Sequence, residues 1–467
     1  MMAPMRLAFP LLLFVWTAMA QSSRCVVEKP TTQAIQAAID ACSAKGGGTA
    51  YVPPGHYVTG PLWLKSNVEL SLEAGATIAL SQNSSDWPSG VPALINAQGA
   101  RNIALTGRGT IDGKAQYEYA DVRAPDGEIR EEMEIARRAG VELKRYYRTG
   151  VQKYIVVLRD SEEIRIEGIR LINAPLWTVR LQDCNRVWIR GVYIYSDLEK
   201  GVNADGIDIV STSNVSISDS TIITADDAIC LKTQAWGTGR TATAIPPPAR
   251  PTENITVTNS ILSSSSTAMV IGTETYADIR HVVFSNIVVR DSNRVFGVNV
   301  QDGGTVSDIR FQNVTFELNR RHWNWWGSAE VFKFVLKRRT PESRLGRIEN
   351  ITINGAQGTA RGTSTILGQA DRPLKNLTIE GLHVKMLQEN RADKRATHAM
   401  VMEFVEGLTL RNIDVGWDDD APEPAWGSAL VLRDIDRLRL DGFHGSPGSR
   451  AAGVPSIQRE RVRDDPR

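Results

Sequence analysis

The sequence lacks a surplus of charge of either sign. Its 467 residues carry 54 Lys and Arg against 53 Asp and Glu, a net charge of +1. A nucleic-acid groove or a polybasic membrane patch needs clustered cations, so neither partner is expected. Long apolar runs are also missing. Beyond the N-terminus no segment reaches the roughly 18 apolar residues of a membrane-spanning helix. Cysteine is scarce: Cys25, Cys42, Cys184 and Cys230 are the only four, and their spacing matches no zinc motif. No metal and no cofactor are expected. Apolar content is not short, and 42% hydrophobic residues exclude a wholly disordered chain.

The N-terminus reads as an address. Met1 to Arg6 is positively charged, Leu7 to Trp16 is almost entirely apolar, and Ala18-Met19-Ala20 supplies small residues for a peptidase. Residues 1–20 are therefore predicted to be a cleaved signal peptide. The mature protein is predicted to be soluble and exported, extracellular or periplasmic. Export permits disulfides, and Cys25 with Cys42 can staple an N-terminal cap to the body. Cys184 and Cys230 read as small residues packed in or on a sheet.

One helix stands out. Thr31 or Thr32 can cap it, and Ile35, Ala38, Ile39 and Cys42 share one face. Gly46-Gly47-Gly48 ends it. Thereafter the chain repeats a polar turn residue followed by alternating apolar positions. Asn67-Val-Glu-Leu, Asn102-Ile-Ala-Leu, Asn214-Val-Ser-Ile, Asn254-Ile-Thr-Val, Asn350-Ile-Thr-Ile and Asn376-Leu-Thr-Ile are examples. Recurrence every roughly 20 to 40 residues is the range of solenoid coils. Period two within each unit makes these strands with one face inward. Several sites also fit the Asn-x-Ser/Thr glycosylation pattern, although a turn Asn followed by a strand Thr produces the same letters. The predicted fold is all-β, a single-stranded right-handed parallel β-helix over residues 21–445 with a short N-terminal capping helix. A covered solenoid of this kind is expected to be a monomer. Ala115 to Gln152 breaks the repeat as a charged surface insertion, helical around Glu131 to Arg138. Trp236 to Pro251 reads as a loop between coils, and residues 446–467 as a loose tail.

Asn203-Ala204-Asp205-Gly206-Ile207-Asp208 and Ala225-Asp226-Asp227-Ala228-Ile229 carry the chemistry. Asp226 follows Asp205 by 21 residues, about one coil. Stacked strands lie about 4.8 Å apart, so three carboxylates should share one patch at the same azimuth. Crowded carboxylates repel, which raises at least one pKa and leaves a proton donor beside ionised partners. Glycoside hydrolysis needs that combination of acid and base. Asp residues are common in solenoid turns, so the stacked second motif, rather than the Asp-Asp pair alone, makes the signal.

Further motifs give the chain a family resemblance. Gly46-Gly47-Gly48-Thr49-Ala50-Tyr51-Val52-Pro53-Pro54-Gly55, Thr106-Gly107-Arg108-Gly109-Thr110-Ile111-Asp112-Gly113, Asn173-Ala174-Pro175-Leu176-Trp177-Thr178, Asn203-Ala204-Asp205 and Asp226-Asp227 occur in this order. Over roughly residues 30 to 440 the chain resembles glycoside hydrolase family 28, the polygalacturonase family. The resemblance implies an inverting hydrolase of α-glycosidic bonds in pectic polysaccharide. It implies Asp226 as general acid, Asp205 and Asp227 as the pair activating water, and Asn203 as a supporting hydrogen-bond partner. Inverting carboxylates stand about 6.5–9.5 Å apart.

The chain departs from the family at two places. The Gly-His-Gly motif falls at Ser266-Thr267-Ala268, so Thr267 stands where the histidine would. The Arg-Ile-Lys motif falls at Asn299-Val300-Gln301. Asn299 and Gln301 can bind hydroxyls but cannot pair with a carboxylate as ions. Either the subsite takes a neutral sugar or another cation serves, with Lys232 and Arg294 as candidates. Arg321-His322-Trp323-Asn324-Trp325-Trp326 offers indole faces for stacking on sugars, with Trp325 and Trp326 favoured and Glu330 as a hydroxyl binder. The same tryptophans can instead clamp the loop to the body. Glu274 is a further candidate for the cleft. Two alternatives remain open: a lyase on the same fold, with Lys232 as base, and a non-catalytic carbohydrate-binding β-helix.

Overall fold

The computed structural model describes residues 23–121, 130–141, 144–237, 248–321, 327–448 and 453–466. The segment 1–20, predicted to be a signal peptide, and Trp325 and Trp326 lie outside these residues. The strands stack into a right-handed parallel β-helix, as the repeat predicts.

Each coil contributes to three parallel columns. Gly48–Val52, Val68–Leu72, Arg101–Gly107, Glu162–Glu167 and Asn185–Arg190 begin the first. Gly55–Thr59, Ala76–Leu80, Thr110–Asp112, Arg170–Ile172 and Tyr193–Tyr195 begin the second. The third column carries the cleft. Its strands are β1 (Leu62–Trp63), β2 (Ala93–Gln98), β3 (Tyr154–Arg159), β4 (Val179–Gln182) and β5 (Ile207–Val210). It continues through β6 (Ile229–Thr233), β7 (Met269–Thr275), β8 (Arg294–Val300), β9 (Glu330–Leu336) and β10 (Ser364–Leu367).

Register explains why the pattern holds. Val179, Ile207, Ile229, Met269, Phe296 and Phe332 stack in line along this column and point inward. All are buried, and each fully buried side chain of this size contributes about 1.5–3 kcal/mol. Alternate residues on the same strands face outward, and these build the cleft floor.

The recurring asparagines do two jobs. Asn67, Asn102, Asn214, Asn254, Asn350 and Asn376 all take a left-handed backbone, with φ between 52° and 63°, which Asn tolerates better than most residues. Their amides also form ladders between coils. Asn102 Nδ2 donates to Asn67 Oδ1 at 3.1 Å, and Asn254 Nδ2 to Asn214 Oδ1 at 3.1 Å.

The first coil is closed by α1 (Thr32–Ala44). Thr31 accepts a hydrogen bond from the Ala34 N–H, and Ile35, Ala38, Ile39 and Cys42 are buried against the barrel end. Cys25 and Cys42 are bridged, at a sequence separation of 17. Closing a loop near this length stabilises by about 3 kcal/mol. Replacing both cysteines by Ala is expected to lower unfolding free energy by about that amount. Denaturant titration of both forms checks it. Cys184 and Cys230 are free and buried.

The 115–152 insertion is a hairpin carrying a helix. Gln116–Asp121 pairs antiparallel with Lys144–Thr149, and α2 (Arg130–Arg138) lies between them. Tyr146 packs with Val202 and Ala225, so the insertion sits beside the aspartate turns. The tail departs from expectation. Ile457–Asp464 is not loose; it adds a last parallel strand, pairing Leu430 with Ile457 and Ile435 with Val462. The preceding coil presents an open backbone edge that this segment satisfies. Arg461 pairs with Asp434 at 2.6 Å, a charged partner that composition alone does not reveal.

Candidate active site

The aspartates sit at one corner of the solenoid. The Thr178 N–H donates to the Asp205 carbonyl at 2.8 Å, Gly206 N–H to the Asp227 carbonyl at 2.9 Å, and Ala228 N–H to the Thr267 carbonyl at 3.0 Å. Ala268 N–H then donates to the Arg294 carbonyl at 2.9 Å. Asp205, Asp227, Thr267 and Arg294 therefore occupy the same position on successive coils. One oxygen from each of Asp205, Asp226 and Asp227 lies within 4.8 Å of the others. The side chains come from consecutive coils of one wall.

The turns are held tightly. The Asp226 carbonyl accepts from Thr224 Oγ1 and Ser264 Oγ, both at 2.8 Å. Asp226 Oδ1 accepts the Asp227 N–H at 2.9 Å, and Asn203 Nδ2 donates to Asp226 Oδ2 at 3.5 Å. Asn203 reaches it from a left-handed turn, with φ 55°. Asp227 Oδ1 accepts from Ser266 Oγ at 2.8 Å and from the Thr267 N–H at 3.2 Å. Asp205 and Asp226 are each only 3% exposed. Burial, then repulsion from Asp226, pushes the Asp205 carboxyl well above the usual range.

Behind the triad lies a buried charge cluster. Lys232 Nζ is 3.1 Å from Asp208 Oδ1, 3.7 Å from Glu274 Oε2 and 3.8 Å from Asp205 Oδ2. It also lies 4.1 Å above the Trp177 ring. Burial alone would push this ammonium down, but Asp208, Cys230, Glu274 and Asp205 outweigh it and hold it well above its usual value. Asp208 is pushed up to about 6, by burial against the opposing pull of Lys232.

A cleft of about 1340 Å³ opens over these groups. Asp205, Asp226, Asp227, Lys232, Thr267, Asn299 and Gln301 line it. Glu274 and Glu330 do not. Glu274 is buried beneath the floor and engages Lys232. Glu330 is buried as well; its carboxylate holds Arg294 at 2.6 Å and takes the Ser328 N–H. Burial alone would raise its pKa, but Arg294 and then Lys333 outweigh it and hold the carboxyl below its usual value. Both glutamates are therefore anchors, not hydroxyl binders. Arg294 donates to Thr267 Oγ1 at 3.1 Å, so a guanidinium from the next coil stands beside the residue that replaces the histidine.

Sequence reasoning missed Asp208, Trp177 and the far wall. Strand alternation puts Asp208 on the cleft side of β5, a signal available in the sequence. The far wall was not available. Arg320, 2% exposed, grips Asp393 with two hydrogen bonds of 2.7 Å. That grip sets Asp393 and Arg395 at the cleft.

Three carboxylates thus cluster in the cleft of a parallel β-helix. The chain belongs to the glycosyl hydrolases family 28, whose model matches residues 42–394. It is 27% identical over 319 residues to a probable polygalacturonase of Vitis vinifera, covering 63% of this chain and 59% of that protein. It is also 27% identical over 324 residues to an exo-poly-α-D-galacturonosidase of Dickeya chrysanthemi, covering 60% and 52%. The match thus spans just over half the length of each relative. The exopolygalacturonase of Thermotoga maritima superposes with a TM-score of 0.64 at 21% identity, covering 82% of this chain and 88% of that one. This last likeness concerns the fold.

Proposed function

We propose that the chain is an exported glycoside hydrolase of polygalacturonase type, acting on an α-glycosidic bond in pectic polysaccharide or oligosaccharide. The observation that carries this is the triad itself: three carboxylates on two consecutive coils, lining one cleft, with oxygens within 4.8 Å. Asp226 gives its proton to the leaving oxygen. Asp205 and Asp227 hold and deprotonate the attacking water, and Asp227 is aligned by Ser266 and Thr267. Family membership supports the bond class, and the Cys25–Cys42 bridge supports an oxidising compartment.

A second stereochemical reading has one observation in its favour. Carboxyl groups about 5–5.5 Å apart typify retaining enzymes, and oxygens within 4.8 Å of one another are compatible with that value. In the inverting reading, two carboxylates share the water, which places it without a wide gap. NMR of the first product decides: from an α-linked substrate, the β-anomer is expected to appear first. Initial α-anomer would replace this mechanism with a covalent glycosyl-aspartate route.

The lyase alternative requires Lys232 as a base. Three carboxylates surround that ammonium and keep it protonated, which unsuits it to remove a proton. Incubation with homogalacturonan, rhamnogalacturonan and neutral pectic oligosaccharides is expected to release hydrated products, with no rise in ultraviolet absorbance. Unsaturated products would overturn the hydrolase reading, and glycan binding without turnover would favour the carbohydrate-binding one.

A further inference from the structure

We propose that the cleft is a blind groove, plugged beside the aspartates by Trp177 and Trp236, so that the protein cuts near one end of a glycan and not along its middle. This rests on the glycosidase reading and specifies its mode of attack. The cleft has a direction along the solenoid. Its floor is the outward face of the third column, where Lys232 of β6, Val270 of β7, Asn299 of β8, Val335 of β9 and Leu367 of β10 line it. Five successive pairings, from β5 to β10, carry that floor away from the aspartates. At about 4.8 Å per coil this is about 24 Å of groove. No residue of β1 to β4 lines it. The aspartates therefore stand at one end of the groove.

The face that continues below them is covered. Register aligns Arg180 with Asp208 and Gln182 with Val210, so Arg180 and Gln182 hold the floor positions of the preceding coil. Both are buried. After β6 the chain runs back across them. Gln182 Nε2 donates to the Gln234 carbonyl at 2.9 Å, and the Gln234 N–H donates to Ser211 Oγ at 3.1 Å. Two residues further on, the Trp236 ring lies 4.7 Å from the Arg180 guanidinium and 4.1 Å from that of Arg159. Trp177 flanks the same Arg180 at 5.1 Å, and Tyr154 meets the Trp177 ring edge-on at 5.8 Å. Arg180 is aimed by Gln182, whose Oε1 accepts from its Nη2 at 2.6 Å. Guanidinium groups attract aromatic faces, and more so when water is excluded. The plug is thus tied to the floor by the residues it covers.

Its place matters for catalysis. Thr178, next to Trp177, donates its N–H to the Asp205 carbonyl at 2.8 Å, so the plug begins on the coil adjoining Asp205. One coil of rise is about the length of one pyranose ring. A glycan end can therefore stop against the indoles with its first linkages over the aspartates and the rest of its length in the open groove. An internal stretch of the same glycan would have to pass through the two rings.

Product length and binding stoichiometry test this. Wild-type protein is incubated with homogalacturonan and with rhamnogalacturonan, each fractionated to lengths well beyond the groove. One short product length is expected from the earliest time point, with viscosity falling only in proportion to the bonds cut. Middle-length fragments and an early collapse of viscosity would overturn the plug. W236A is expected to lengthen the product by about one sugar or more, whereas W236F, which keeps a ring over Arg180, should retain the wild-type length. Unchanged products from W236A of native circular dichroism would remove Trp236 as the stop. Calorimetry with the D226N protein and the same polymers gives a readout without turnover. A single copy is expected to bind per polymer molecule however long it is, and several copies per molecule would overturn end binding while leaving the glycosidase reading intact. Neither binding nor product from any pectic polymer would instead remove the glycosidase reading, and the end stop with it.

Discussion

Replacing Asp226 by Asn is expected to lower kcat by roughly two to four orders of magnitude, the usual worth of a positioned general acid. The fold should survive. Asn is close to Asp in shape, and the turn is held through the Asp226 carbonyl, which accepts from Thr224 and Ser264. The pH profile carries further information. Burial and Asp226 raise the Asp205 carboxyl, so this base gives up its proton only above the ordinary carboxylate range. Wild-type activity is therefore expected to rise only as pH passes above that range. In D226N the repulsion from Asp226 is gone, so the limb of the residual activity should move to lower pH. Steady-state kinetics on whichever pectic oligosaccharide the chain cleaves, with circular dichroism alongside, checks both. Comparable turnover in the variant would remove Asp226 from the acid role.

Replacing Lys232 by Met is expected to cost about 3–5 kcal/mol, because it leaves buried carboxylates without their counter-charge. Asp208, Glu274 and Asp205 all face that ammonium, and Asp208 and Glu274 are almost fully buried. The loss should depend on pH, with a definite sign. Asp208 stands at about 6 even with Lys232 present, and without that ammonium it rises further. A carboxyl whose folded pKa exceeds its unfolded value binds protons that the unfolded chain has released. The variant is therefore most stable below about pH 4, and stability falls as pH rises through about 6. Urea titrations of both proteins at pH 5 and pH 8 should show a larger gap at pH 8. An equal gap would mean that lost packing over Trp177, not lost charge, dominates.

The legible and illegible parts of the site differ in how far apart in sequence their partners lie. Asp205, Asp226 and Asp227 could be placed together because one coil separates them and parallel stacking is regular. Asn203 followed, being two residues from Asp205. Glu274, just after Gly272-Thr273, and Glu330, just after the tryptophan cluster, read as cleft residues from their places in the sequence. In the fold they turn inward to Lys232 and Arg294, partners supplied by neighbouring coils. The C-terminal strand was hidden for a related reason. Its Arg-rich composition reads as loose until the open edge above Leu430 and the Asp434 carboxylate are in place.

The solenoid, its capping helix and the two coils that bear the aspartates are legible from the sequence alone. These follow from local rules: period-two alternation, left-handed turns that admit Asn, and a constant rise per coil. Which charges face the cleft and which hold one another beneath it depends on the assembled fold. Coil lengths vary with each inserted loop, so lateral register is not written in residue spacing. That register puts Arg294 beside Thr267 and Arg320 under Asp393, because an ion pair between coils depends on where two distant turns happen to align.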